Sequence, residues 1–534
     1  MVTDGGESGD STQTAPTAQT FEWVGAWSER RARLSPEKTG LVDATSGRAF
    51  TYRELDARAN QTARLLRTHD VADGGRVATL SRNRPELVDC FFATGKTGGV
   101  LAPLSHRLAP PELATMLSTV DPELLVVESP FVDLARDVLG HDDCSVTADV
   151  EVLVVADSSD DGSHPDDWSR YDDELPDDDS PVHRADVSLS DPHLFLHTGG
   201  STGVPKETVV THQSIVWNSF NTVTAWGLRP EDTTPMVFPM FHTGGWNVLT
   251  VPLFHVGGTV VVAREFDASA VLRSIAEYDA SVLVGVPAVL RTMCRHDDWA
   301  ETDLSSLRFV KSGGGPCRQA VMEAWWERDV DLSQGYGLTE CGPNNFAMPE
   351  GSFQEKADSV GVPAMHVDAR IVDDDGPVPQ GEVGELELAG FHAADGYWQA
   401  PAESEETFGD GWVSTGDLAR LDDDGYYYIV GRTKNMYVSG GENVYPAEVE
   451  SVVSTHPKVE EVVVVGVPDE QWGQVGKAVV EGDESLTLDE LRDFLDGKLA
   501  RFKVPKRLAF VDEMPTSGPS KLDREAVEAA FGES

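Results

Sequence analysis

Short apolar runs that read as buried strands recur along most of this chain, with helix-like segments between them. "GGRVATLS" (Gly74–Ser81), "ELLVVES" (Glu123–Ser129), "HLFLHT" (His193–Thr198), "TPMVFPM" (Thr234–Met240), "GGTVVVA" (Gly257–Ala263) and "ASVLVGV" (Ala280–Val286) are the strand candidates. The clearest helix is "TYRELDARANQTARLLRTH" (Thr51–His69), where apolar residues return every three or four positions. Thr51 can cap its first turn, with Glu54 three residues on to complete a capping box. "SAVLRSIAEY" (Ser269–Tyr278) repeats the helical spacing. Strands and helices alternating in this way, with no internal repeat, make the fold class α/β.

With 534 residues the chain can bury a large core and divide into domains. Residues 1–20 are polar, with neither a basic region nor an apolar stretch, and read as a disordered tail rather than a signal peptide. Residues 21–430 carry the α/β pattern: a large N-terminal domain of β-sheets flanked by helices. "DSSDDGSHPDDWSRYDDELPDDDSP" within Ala156–Pro181 reads as an exposed acidic loop. After "GYYYIVGR" the chain passes through residues 431–435 into a second unit, 436–534, with the order helix, strand, strand, helix, strand. About 100 residues suffice for a compact α+β domain.

The net charge is −49, from 91 acidic and 42 basic residues. The surplus is spread along the chain, which excludes a surface built for nucleic acid or for anionic membranes. It implies adaptation to concentrated salt, where like charges are screened within about 3 Å at molar ionic strength. Five scattered cysteines with no CxxC pair suggest neither a disulfide framework nor a zinc site, which fits a cytoplasmic protein. Nor does any apolar run reach the roughly 18 residues of a membrane span.

"FLHTGGSTGVPKE" (Phe195–Glu207) carries the chemistry. It fits neither a Walker loop nor a dinucleotide loop, since its glycines and lysine are spaced differently. Its composition nevertheless suits a polyphosphate. Gly199, Gly200 and Gly203 let backbone N–H groups approach an anion, Thr198, Ser201 and Thr202 supply hydroxyls, and Lys206 supplies a positive charge.

T-G-G-S-T-G-x-P-K resembles the phosphate loop of the adenylate-forming superfamily: acyl-CoA synthetases, adenylation domains and luciferases. Three further stretches stand in that family's order: "QGYGLTE" (Gln334–Glu340), "STGDLARLDDDGYYYIVGRTKNMYVSGGENVYPAEVE" (Ser414–Glu450) and "FKVPKRLAFVDEMPTSGPSKLDR" (Phe502–Arg524). The resemblance covers the chain from about Phe21 onward. Two residues depart from the pattern: Glu207 stands where a glycine usually follows the loop lysine, and Ser520 where a glycine usually precedes the C-terminal lysine.

The resemblance implies an AMP-forming acid–CoA ligase, of the type that activates medium- and long-chain fatty acids. A carboxylate attacks the α-phosphate of ATP, with Mg²⁺, to give an acyl-adenylate and pyrophosphate, and the thiol of coenzyme A then displaces AMP. It implies that the phosphate loop holds the β- and γ-phosphates, Thr339 meets the α-phosphate and Glu340 holds Mg²⁺. Tyr336, beside Gly337, stacks on adenine, and Gly313, Gly314 and Gly315 line the base and acyl pockets. Asp417 receives the ribose hydroxyls, Arg432 reaches ribose or α-phosphate, and Lys434 is the hinge of a mobile C-terminal domain. Lys521 serves the first half-reaction. Gly440 and Gly441 let the pantetheine arm pass, and "FKVPKR" (Phe502–Arg507) could meet CoA phosphates.

His242 matches the position that gates the acyl channel. The windows expected to line the acid pocket, Met236–Trp246, Val282–Leu290, Ser312–Pro316 and Tyr336–Asn344, hold no lysine or arginine. A second substrate carboxylate would lack a partner there, which disfavours dicarboxylates. Whether the acid is aliphatic or aromatic stays open, as does the oligomeric state. Three rivals share the motifs: loading of a carrier protein, ranked lower because no carrier segment follows Lys521, a luciferase-like oxygenase, and a non-catalytic nucleotide sensor. A sensor is expected to lack Lys521, Glu340 or Asp417, and this chain has all three.

Overall fold

The structure is a computed structural model, and it describes residues 24–146, 150–157, 164–183, 185–198, 206–517 and 521–532. The expected N-terminal tail lies outside these residues, as do Gly199, Gly200, Ser201, Thr202 and Gly203 of the loop and Ser520.

Seven strands form the largest sheet, in the order Ser169–Arg170, Glu151–Val155, Leu124–Glu128, Arg76–Leu80, Val100–Leu104, Pro192–Thr198, Lys206–Thr211. Neighbours run parallel except the last pair, an antiparallel hairpin whose tip is the phosphate loop. Parallel strands need both faces covered, which explains why these runs are apolar on successive residues. The helix predicted over Thr51–His69 spans Tyr52–Thr68, and both halves of its capping box form between Thr51 and Glu54.

A second sheet joins Thr233–Met236, Thr259–Val262, Thr39–Asp43 and Arg48–Thr51. A third is a parallel trio, Val282–Gly285, Phe309–Ser312 and Leu332–Gln334. An antiparallel sheet of five follows, ending in Val413–Leu421 and Tyr427–Arg432. The C-terminal strands Glu442–Val444, Tyr437–Ser439, Gly473–Gly482, Val459–Asp469 and Arg507–Phe510 pair only among themselves. They pack into two apolar clusters drawn entirely from residues after Met436. An α/β body is thus followed by a smaller α+β unit with its own core.

The acidic run before Pro181 differs from the expectation of a plain exposed loop. It contains the short helix Tyr171–Glu174, and Tyr171 is completely buried. Its hydroxyl lies 2.9 Å from Thr62 Oγ1 on the first long helix. One aromatic anchor therefore ties an otherwise hydrophilic segment to the core, because an aromatic ring outweighs its polar neighbours when a pocket accepts it. Among the described residues no helix is long and apolar enough to cross a membrane.

Candidate active site

The phosphate hairpin fixes the first part of the site. Thr198 and Lys206 are the last Cα partners before the loop leaves the sheet. Side chains alternate across a strand, so Lys206 and Glu207 point to opposite faces. Lys206 Nζ sits 5.0 Å from the centre of the Tyr397 ring. The Tyr397 hydroxyl donates to Glu340 Oε1 at 3.0 Å. Backbone bonds tie the same three segments together: Ala394 N donates to Glu340 O at 2.9 Å and Trp398 N to Glu207 O at 2.7 Å. Lys206 and Glu340, far apart in sequence, thus meet across one aromatic ring. Sequence reasoning missed Tyr397, which sits in no motif used above.

Glu207 lies on the other face, opposite His197 in the hairpin register. It is 2% exposed, and its Oε1 has no hydrogen-bond partner among the described residues. Burial alone pushes its carboxyl up to about 8. The facing His197 imidazole is pushed down to about 3, first by burial and then by His242. Their burial leaves both side chains neutral at pH 7. The departure from the family pattern therefore places a neutral carboxyl on the buried face of the hairpin, turned away from Lys206.

A second group forms where strands Val413–Leu421 and Tyr427–Arg432 pair Asp417 with Arg432. Arg432 Nε donates to Asp417 Oδ1 at 2.8 Å, and the Tyr336 hydroxyl donates to Asp417 Oδ2 at 2.6 Å. Asp417 is 6% exposed. Burial, reinforced by this carboxylate, raises the Tyr336 phenol well above its ordinary value and keeps it a donor. The structure brings together three residues that sequence reasoning assigns separately. Gly337, next to Tyr336, meets the chain itself: a Cβ there would stand 2.1 Å from the Pro343 carbonyl carbon. Its glycine is required by packing.

The turn Ser312–Pro316 leaves the parallel trio. Gln334 Oε1, at the end of the neighbouring strand, accepts from Cys317 N at 3.0 Å and pins the far side of the turn. Gly314 is left-handed, φ 81°, whereas a Cβ on Gly313 or Gly315 would touch nothing within 4 Å. Open space beside bare backbone is what a bound group needs.

His242 is exposed, with its ring 5.4 Å from His197 and 4.7 Å from Phe241. Two residues on, Gly244–Val248 forms a π-helical turn, a local geometry that concentrates at functional sites. Asn344 braces it, donating through Nδ2 to Asn247 O at 3.1 Å and Val248 O at 3.0 Å. Against this turn lies a narrow recess, about 10 Å³, lined by Thr234, Pro235, Met236, Val237, Phe238, Gly244, Val248, Leu249 and Val284. Most of these residues fall within or beside two of the acid-pocket windows, and none is charged.

In the C-terminal unit, Gly440 (φ 64°) and Gly441 (φ 91°) form the tight turn between two short strands. Left-handed backbone at both central residues is what such a hairpin requires. The half-exposed Trp472 packs over Gly440, and Lys506 Nζ lies 3.8 Å from a Trp472 ring centre. Lys434 sits in a one-turn helix, Thr433–Asn435, and pairs with Glu525 at 2.9 Å. Lys521 opens a two-residue strand that pairs with Thr516–Ser517.

Among the described residues no cluster of three or more His, Cys, Asp or Glu could cage a metal ion. Mg²⁺ is commonly held by one or two carboxylates together with substrate phosphates. The lone Glu340, with lone pairs left after its bond to Tyr397, fits that mode, in which Mg²⁺ neutralises phosphate charge.

The chain belongs to the AMP-binding enzyme family, whose description it matches over residues 28–398, and it matches the AMP-binding enzyme C-terminal domain over 448–521. It is 36% identical over 512 residues to feruloyl-CoA synthase of an Amycolatopsis species, covering 95% of this chain and 99% of that one. It is 36% identical to the indoleacetate–CoA ligase of Aromatoleum aromaticum, covering 94% and 96%, and 31% identical to the long-chain-fatty-acid–CoA ligase FadD13 of Mycobacterium tuberculosis, covering 93% and 96%. Among solved structures, the anthranilate–CoA ligase AuaEII with anthranoyl-AMP superposes with a TM-score of 0.86 at 27% identity, covering 96% of this chain and 97% of that one. MatB of Rhodopseudomonas palustris superposes at 0.84 in its ATP-bound form (29% identity) and 0.75 in its apo form (28%), each covering 95% and 99%. The protein is an AMP-forming acid–CoA ligase that works through an acyl-adenylate and uses ATP, Mg²⁺ and CoA.

Proposed function

We propose that the acid is an uncharged monocarboxylate whose far end is an aromatic ring. The observation that carries this reading is the recess beside the π-helical turn. Its wall offers methyl, thioether and phenyl surface without a charge. A buried second carboxylate there would face a penalty of several kcal/mol. The feruloyl, indoleacetate and anthranilate ligases among the relatives support an aromatic group. A medium- or long-chain fatty acid is the second reading, favoured by the likeness to FadD13.

In this reading Lys206, Thr198 and the loop residues hold the β- and γ-phosphates. Thr339 and Lys521 act on the α-phosphate and the attacking carboxylate, and Tyr336, Asp417 and Arg432 hold the nucleoside. His242 stands at the mouth of the acid channel. Residues 431–435 are the hinge, so 436–534 rotates as one unit. The two domains stand in the adenylate-forming arrangement, which the better superposition on ATP-bound than on apo MatB supports. After rotation the Gly440–Gly441 turn and Trp472 flank the pantetheine arm.

The test is AMP release with CoA, in molar KCl, over ferulate, indoleacetate, anthranilate, octanoate, palmitate, malonate and succinate. The aromatic acids are expected to give the highest kcat/KM. Preference for octanoate or palmitate would select the fatty-acid reading. Preference for malonate or succinate would overturn the assignment of the recess.

A further inference from the structure

Glu461 lies outside every motif discussed above. It stands near the start of strand Val459–Asp469, where the pairing register with Gly473–Gly482 is irregular between Val459 and Glu461. An irregularity of this kind re-aims side chains at a strand end. Here it turns Glu461 toward the large domain. Glu461 Oε2 accepts from Arg291 Nη1 at 2.8 Å, and Glu461 Oε1 accepts from Arg318 Nη2. Arg318 Nη1 also donates to the Glu460 carbonyl. The carboxylate is 16% exposed, and the two guanidinium groups are 31% and 23% exposed. One small-domain carboxylate is thus clamped, partly out of water, between two large-domain cations.

The two arginines come from the wall of the site. Arg291 is on helix Pro287–Arg295, which follows the strand whose Val284 lines the recess. Arg318 precedes helix Gln319–Trp326 and is two residues beyond the Ser312–Pro316 turn, next to Cys317, which Gln334 pins. Both helices leave the C-terminal ends of adjacent parallel strands. The contact therefore joins the small domain to the elements that enclose the acid.

We propose that Glu461, Arg318 and Arg291 are positioning residues for adenylate formation: they hold the small domain, and with it Lys521, in the orientation of the first half-reaction, and they part before the thiol attacks. The proposal rests on the reading that hinge rotation separates the two half-reactions. Each partner touches no substrate, so its loss shifts the balance between orientations without altering the chemistry in either. Partly buried charge-assisted hydrogen bonds of this kind shift such a balance by roughly tenfold.

The experiment measures the half-reactions separately, as pyrophosphate release from ATP and acid, and as thioester formation from supplied acyl-adenylate and CoA. The variants are Glu461→Gln, Arg318→Gln, Arg291→Gln and the Glu461→Gln/Arg318→Gln double, with Lys521→Ala as companion. The expected result is that kcat for adenylation falls by up to roughly tenfold in Glu461→Gln with KM for ATP unchanged. Thioester formation holds or quickens. The double variant falls no further than the worse single one, as partners in one contact do. An unaltered unfolding midpoint separates this from loss of structure. Equal loss in both half-reactions, or no loss in either, overturns the proposal. If Lys521→Ala separates the half-reactions and Glu461→Gln does not, the clamp fails while the ligase reading stands. If neither separates them, the two-orientation reading fails as well.

Discussion

Replacing Glu207 by Gln tests whether the hairpin hides a neutral carboxyl. In the fold this group loses its proton near pH 8, against an ordinary 4.5, because burial strips its solvation, and among the described residues no donor reaches Oε1. Between those two values the folded chain holds a proton that the unfolded chain has released. Stability from this group is therefore fully present below pH 4.5 and is lost as pH rises toward 8. The slope is about 1.4 kcal/mol per pH unit. From pH 6 to pH 8 the wild type should lose about 2 kcal/mol relative to Glu207→Gln, which has nothing to titrate. Denaturant unfolding of both proteins in molar KCl, followed by tryptophan fluorescence, measures this difference and cancels the other carboxylates. A functional trace should accompany it: above pH 8 an anion forms on the buried face of the hairpin, and KM for ATP should rise in the wild type and not in the variant. A stability difference that stays flat from pH 5.5 to 8.5 would refute the reasoning, because Glu207 would then be ionised and paired or solvated.

Lys521→Ala should cut pyrophosphate release by roughly 10²–10³, the usual cost of one group that stabilises transition-state charge, and spare thioester formation from supplied acyl-adenylate. Lys434→Pro should do the reverse, since proline fixes φ and opposes rotation within residues 431–435; unchanged thioester formation in a folded variant would move the hinge elsewhere. His193 and His212 lie in the core with ring centres 4.6 Å apart and without hydrogen-bond partners for their ring nitrogens among the described residues, and burial lowers both, His212 to about 3. The unfolded chain protonates them near 6.5 and the fold does not, so each should lower stability by about 1.4 kcal/mol per unit below pH 6.5, and His193→Gln should reduce the slope measured between pH 6 and 4.5 by about that amount.

The features of this protein that are local patterns are legible in the amino-acid sequence alone. The Thr51–Glu54 capping box, the apolar strands and the glycine-rich loop each depend on residues within about one helical turn of each other. Asp417 and Arg432 both stand in a motif that marks them as site residues, but that they face each other follows from a strand pairing with a register shift between Leu418 and Ala419. Tyr397 carries no such mark, because its role exists only where distant segments converge. Glu207 is visible as a departure, yet its effect depends on which face of the hairpin it takes. Its neighbour Lys206 takes the face toward Tyr397, which leaves Glu207 the buried one. Gly314 reads as part of the acid-pocket lining, but its left-handed backbone makes any substitution there a test of strain, and a Cβ would stand 3.4 Å from Val286. Gly313 or Gly315 probes the same space without that confusion.

The charge of the chain bears on how the site meets its substrates. ATP and CoA are polyanions, and a protein of net charge −49 repels them over a distance set by salt. At physiological ionic strength that repulsion reaches about 8 Å, and at molar strength about 3 Å. Long-range steering therefore cannot deliver the nucleotide in any salt; the protein's overall field opposes delivery or is absent. What remains is contact. Lys206 stands over Tyr397, and Arg432 is fixed on Asp417 by a bond of 2.8 Å. The Arg432 bond lies inside the distance that molar salt leaves unscreened. The Glu461 clamp obeys the same limit, with its carboxylate 2.8 Å from Arg291 and partly shielded from solvent. A contact this short keeps its strength in concentrated salt, while the repulsion between two strongly acidic domains is screened away. Under those conditions, in the proposed reading, the few cations held by the fold set both the grip on phosphate and the orientation of the small domain.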